Sequence, residues 1–178
     1  YYGIIVDDRD TLSDAVKRAF SECDIVLLSG GVSKGDYDYV PEVLEENGMK
    51  TLFHRVAIKP GRPLLFGRKD DKFVFGLPGN PVSTFVTFEF FVKTLIYHMA
   101  GLEYKPDLYK GKLTKKVKRR DTERTEFHPV IIKGKDVEPI KYLGSSHLNA
   151  MAEANGMMTI PNGIAEFKEG ETVSVRSI

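Results

Sequence analysis

The chain has 178 residues, 42% of them hydrophobic, and a formal net charge of +1. That composition supports one large or two small cored domains and excludes a disordered chain. The near-neutral charge excludes a global demand for nucleic acid or a membrane surface, and the single cysteine, Cys23, excludes an internal disulfide and a cysteine-based zinc site.

Taken in chain order, Gly3 to Val6 predicts a short buried strand. Thr11-x-x-Asp14 reads as a capping box for a helix with Leu12, Ala15, Val16, Ala19 and Phe20 at helical spacing. Cys23 follows as a small core residue, which fits a reducing cytoplasm. The apolar run Asp24 to Ser29 predicts a buried parallel strand ending at Gly30-Gly31. Asp38 opens a second helix, with Val40, Val43 and Leu44 on one face and Gly48 as its stop. Lys50 to Ile58 alternates as a strand. Pro63 to Phe66 and Phe73 to Phe75 flank a hairpin-like turn. Asn80 caps a third helix with Pro81 at its first position, running to about Gly101. Its apolar stretch, Phe85 to Met99, contains Glu89, Lys93 and His98, which argues for a buried helix rather than a membrane span. This alternation predicts an α/β domain, a three-layer, mostly parallel sheet covered on both faces.

The pattern changes near residue 103. Residues 1–103 carry 12 Lys/Arg against 15 Asp/Glu, and residues 104–178 carry 14 against 10. Short strands are predicted at Tyr109–Lys118, Glu126–Lys133, Val137–Tyr142, Met157–Ile160 and Thr172–Arg176, with one helix at His147–Ala154. Two domains follow: 1–103, α/β, and 104–178, small and β-barrel-like. The run from Lys115 to Arg120 is basic enough to meet phosphates, but no clustered aromatics offer base stacking. Its Lys-Val-Lys alternation is that of a protected strand edge. No nucleic-acid partner and no membrane are expected. His54, His98, His128 and His147 show no metal-ligand spacing.

Three loops follow predicted strands. Ser29 to Asp38 holds Gly30, Gly31, Ser33 and Gly35 with Asp36 and Asp38. Its N–H groups and helix start suit a phosphate, and its carboxylates suit Mg2+. Lys59-Pro60-Gly61-Arg62-Pro63 presents two cations between prolines, a rigid pair for an oxyanion. Gly76 to Ser83 adds Pro78, Gly79, Asn80, Pro81 and Ser83 at a helix N-terminus, a further anion-binding arrangement.

In order and spacing, SGGVSKGDYDYV, AIKPGRPLLFG and FGLPGNPVSTFVTFEFFV resemble the MoeA/gephyrin E-domain family, the molybdopterin molybdenumtransferases. The resemblance implies a cytoplasmic enzyme that takes adenylylated molybdopterin and molybdate, or tungstate, with Mg2+, and releases AMP with the metal-loaded cofactor. It implies catalytic roles for Asp36, Asp38, Lys59 and Arg62, and metal roles for Asp7 or Asp8 with Asp38. Pro78, Pro81 and Ser83 correspond to the rigid loop. Arg124, with Ser145 or Ser146, corresponds to second-domain residues completing the molybdate site. Arg62 stands where the family usually has a lysine, so a planar fork replaces a point charge. The family pattern also implies that this chain is the C-terminal part of a longer homodimeric protein, lacking the opening strand and helix of its sheet. The alternatives are a non-catalytic anion or nucleic-acid binding module, or a scaffold fragment.

Overall fold

The computed structural model describes residues 1–32, 39–142, 144 and 147–178. Two compact units divide the chain: residues 1–56 with 61–87, and residues 57–60 with 88–178.

The first unit contains α1 (Arg9–Glu22), β1 (Ile25–Ser29), α2 (Val40–Glu46) and β2 (Lys50–Phe53). Strand β3 (Ile58–Lys59) belongs to the second unit, and the first resumes with β4 (Leu65–Lys69), β5 (Lys72–Leu77) and α3 (Pro81–Thr87). The sheet order is β1-β5-β4-β2. β1 runs parallel to β5, whereas β5–β4 and β4–β2 are antiparallel. The sheet is therefore mixed, and within it the expected parallel pairing is confined to β1 and β5. The hairpin turns at Asp70-Asp71, between β4 and β5, with Asp70 at φ 53. Leu12, Val16, Ala19 and Phe20 of α1, with Val43 and Leu44 of α2, form one core with Val26, Leu65 and Val74. The two-residue strand period turns Phe66 and Phe75 to the other face, where their rings lie 4.6 Å apart.

Several local expectations change. Residues 3–6 form no strand: Ile4 and Val6 are 94% and 62% exposed, and no described strand pairs with them. Asp8, not Thr11, caps α1. Its Oδ1 accepts from the Thr11 N–H at 2.9 Å and the Thr11 hydroxyl at 2.6 Å, so the helix begins earlier. Asp38 lies outside the described residues, and α2 starts at Val40 with no side-chain cap. The stretch 50–58 is two short strands, because β2 pairs with β4 while β3 pairs with the second-unit strand Thr125–Lys133. β1 is not wholly buried, since Leu27 is 43% exposed at the edge of the described sheet.

The second unit begins, besides β3, with a five-residue π-helical segment (Phe88–Val92) and α4 (Lys93–Met99). The long helix of the sequence reading is thus interrupted. Arg176 donates to the Glu89 carbonyl and lies over the Phe90 ring at 4.2 Å. A side chain inserted into the carbonyl ladder in this way opens a helical turn. The remaining elements are β6 (Leu108–Leu113), β7 (Val117–Lys118), β8 (Thr125–Lys133), β9 (Asp136–Pro139), α5 (Asn149–Glu153), β10 (Gly156–Ile160), β11 (Glu166–Phe167) and β12 (Thr172–Ser177). Strands β8, β9, β6, β12 and β10 close in that order, with β10 returning to β8, as a five-stranded barrel. Its interior holds Leu113, Val130, Val137, Met158, Ile160, Val173 and Val175. β7 and β11 form a separate pair. Arg119, beside β7, is 8% exposed and donates to the carbonyls of Ile164, Arg124 and Pro161. One cation of the basic run is therefore internal.

Lys133 and Lys115 donate to Glu138 at 2.9 and 3.0 Å and hold its carboxyl at about 2, against an ordinary 4.5. A lowered folded value stabilises the fold above the unfolded value, and that contribution is lost as the pH falls. The melting temperature of the chain should fall between pH 4.5 and about 2. Glu138→Gln should flatten part of that fall, as thermal unfolding across this range would register.

Candidate functional site

In the first unit the site is made by strand ends. The parallel register sets Ser29 opposite Leu77, so the Gly30-Gly31 and Gly76–Ser83 loops leave adjacent strands at their carboxyl ends. The Gly30 N–H donates to the Leu77 carbonyl at 3.2 Å, and the Ser29 hydroxyl reaches the Pro78 carbonyl at 3.5 Å. The Thr84 hydroxyl also donates to Pro78, closing the loop onto the first turn of α3. The two loops touch closely enough that a Cβ on Gly79 would lie 3.6 Å from the Gly30 Cα.

Gly31 sits at φ +64 with the Val40 side chain against it, where any larger residue is strained. Val32 then turns inward, 2% exposed, and its carbonyl lies 3.0 Å from His54 Nε2. Pro81 starts α3, and the Thr84 N–H donates to the Asn80 carbonyl at 2.9 Å as its first helical bond. Ser83 is only 4% exposed, so its hydroxyl belongs to the packed side of α3 rather than to open surface. Arg62 is exposed, and it makes no ion pair among the described residues. Its carbonyl accepts from the N–H groups of Val56 and Leu64, which tightens the turn before half-buried Pro63.

In the second unit the site is made by charges. β3 pairs in parallel with β8, Lys59 opposite Glu126. Lys59 Nζ donates to Glu126 Oε2 at 3.1 Å, the lysine side chain being 36% exposed and the glutamate 6%. His128 lies two residues along β8, with Nδ1 3.5 Å from Glu126 Oε1 and Nε2 3.1 Å from the Ile140 carbonyl. Burial pushes the Glu126 carboxyl up. Hydrogen bonds from His128 and Lys59, with their charges, more than reverse this and leave it below its ordinary range. Arg124 grips Asp121 through Nε at 2.9 Å and through its second nitrogen. That grip, with the Glu123 N–H, holds Asp121 below the ordinary carboxylate range, and the Lys59 charge adds to it. Tyr142 stands edge-on to His128 at 6.0 Å. Burial, then the Glu126 charge, pushes its hydroxyl up to about 12. That hydroxyl has no hydrogen-bond partner among the described residues. A groove of about 480 Å³ lies beyond His128, edged by Lys115, Lys116 and Lys141.

The structure thus brings Gly30, Gly31, Pro78 and Gly79 together in one unit, and Lys59, Arg124, Asp121, Glu126 and His128 together in the other. Ser33, Gly35, Asp36, Asp38, Ser145 and Ser146 lie outside the described residues. Asp7 and Asp8 precede α1, and Asp8 is engaged as its cap. Among the described residues no three acidic, histidine or cysteine groups could hold a metal together. Glu126 and Asp121 were not singled out from sequence. The available signal was a glutamate inside the apolar strand EFHPVII, which has to find a cation when buried.

Residues 1–98 match the family model described as a probable molybdopterin binding domain, and residues 110–178 match the MoeA C-terminal region (domain IV). A Staphylococcus aureus protein named molybdopterin molybdenumtransferase is 37% identical over 95% of the chain and 41% of its own length. A Bacillus subtilis protein of the same name is 31% identical over 98% of the chain and 42% of its own length. The solved structure of a Pyrococcus horikoshii molybdopterin biosynthesis MoeA protein superposes with a TM-score of 0.82 at 32% identity, covering 99% of this chain and 42% of that one. A molybdenum cofactor biosynthesis protein from Pyrococcus furiosus gives 0.81 at 26% identity, over 99% and 57%. The chain spans about two-fifths of the length of these curated relatives.

A Cβ on Gly76 would meet Val32 Cγ1 at 2.5 Å and Leu65 Cβ at 3.2 Å. Gly76→Ala should therefore cost about 1–3 kcal/mol and displace the loop that Val32 anchors. A denaturant titration would read the first effect, and amide chemical shifts at Gly30 and Gly31 the second.

Proposed function

Because this chain belongs to the MoeA family, we propose that it works in molybdenum cofactor biosynthesis, inserting molybdate into adenylylated molybdopterin with release of AMP. The observation that carries the reading is the Ser29–Leu77 register, which joins the SGG and GLPGNP loops at the ends of two parallel strands. Ligands of open α/β sheets bind at that edge. The reading assigns residues 1–103 to the molybdopterin-binding domain and 104–178 to a second domain.

In this mechanism the backbone N–H groups of the Ser29–Asp38 loop and Ser33 hold the phosphates of the adenylylated substrate, with the rigid Pro78–Ser83 loop beside them. Lys59, Arg62 and Arg124, with Ser145 or Ser146, hold the oxyanion. Molybdate is a tetrahedral dianion and needs cations and hydroxyls around it. Fixed positive charge near the departing phosphate lowers the barrier by stabilising the charge that develops there. Asp36 and Asp38, with Asp7 or Asp8, would hold Mg2+, which would supply further positive charge beside the phosphates. A homodimer and a cytoplasmic location complete the reading.

The test is calorimetric titration with molybdate and tungstate, with sulfate as control. Molybdate should bind selectively, and Lys59→Ala should weaken it by roughly tenfold, the usual worth of a hydrogen bond to a charged group. Unaltered binding in that variant would move the oxyanion elsewhere. In the full-length protein Asp38→Ala should abolish Mg2+-dependent turnover and leave the fold intact; unchanged turnover would remove its assigned role.

A further inference from the structure

The cations that the second unit offers to an oxyanion are already engaged. Lys59 meets Glu126 at 3.1 Å, and Arg124 meets Asp121 through two nitrogens. These two carboxylates cancel the two charges. Glu126 is the more telling case, because only 6% of its side chain is exposed. A carboxylate inside a barrel wall is costly unless it is paired. Here one oxygen faces Lys59 and the other faces His128, whose remaining nitrogen is tied to the Ile140 carbonyl. Glu126 is therefore fixed from behind, and it fixes Lys59 in front. Asp121 does the same for Arg124 from a more open position, 32% exposed.

Such an arrangement has two opposed effects on a bound dianion. It aims the cation, which removes the cost of ordering a long side chain when the anion arrives. It also sets a full negative charge one cation away from the anion, and that repulsion is the larger effect at such short range. From this we infer that Glu126 and Asp121 are positioning residues that aim Lys59 and Arg124 while holding down the affinity for the oxyanion. The site then takes molybdate transiently, as a substrate to be passed on, rather than storing it. This rests on the oxyanion role proposed above for Lys59 and Arg124.

The experiment compares calorimetric affinities for molybdate and sulfate in the wild-type chain, Glu126→Gln, Asp121→Asn and Lys59→Ala. Glu126→Gln should bind molybdate roughly tenfold tighter, as removal of one nearby charge predicts, and should discriminate less against sulfate because Lys59 is no longer aimed. Asp121→Asn should shift affinity the same way, and its exposure makes it the variant least able to disturb the fold. Tighter binding alone follows from removing any nearby negative charge; the readout that marks aiming is the lost discrimination between molybdate and sulfate, which a merely structural ion pair leaves unchanged. Unchanged or weaker molybdate binding in both carboxylate variants, with Lys59→Ala still weakening it, overturns the inference and leaves the oxyanion site standing. Binding that Lys59→Ala does not alter overturns both.

Discussion

The pairing of β3 with β8 is the constraint on which the charge cluster of the second unit depends. Two registered positions, Ile58 with Thr125 and Lys59 with Glu126, and one further bond from the Thr125 N–H to the Ala57 carbonyl, bring residues 57–60 into the second unit. The sequence on both sides of them belongs to the first unit. Without that ladder Lys59 would be a solvated loop lysine. With it, Lys59 faces a buried carboxylate 67 residues away along the chain.

The two units present different chemistry. The first offers mainly backbone: positive-φ glycines and a loop closed on the Pro78 carbonyl. Such surfaces accept phosphate groups by directional bonds and carry little charge of their own. The second offers side-chain charges held in pairs, with burial opposing the carboxylate and hydrogen bonds restoring it.

Much of this was legible from sequence where the signal is local. The helical spacing of Leu12, Val16, Ala19 and Phe20 gave α1, and all four are buried. The turn residues between 104 and 178 marked a β-rich barrel domain, and the barrel is there. Lys59 and Arg124 stood out in the sequence through their motifs, and both are held in ion pairs in the second unit. What failed was competition between neighbours and contact over distance. Thr11 and Asp8 are both good caps, and the geometry chose Asp8. The alternation over 50–58 could not reveal that its two ends pair with different strands, β2 with β4 and β3 with β8. The partners of Lys59 and Arg124 were equally hidden. Glu126 depends on the β3–β8 ladder, and Asp121 depends on the turn that folds Arg124 back onto it.

Arg119 adds something of a different kind. One buried guanidinium ties together three carbonyls, one of them 45 residues along the chain. It holds a long loop closed in the folded state, where three hydrogen bonds offset the entropy of that closure. The chain's one cysteine could not have supplied that closure internally. A clasp made of an arginine and three peptide oxygens is indifferent to reductants, and its strength does not vary with the redox state of its surroundings.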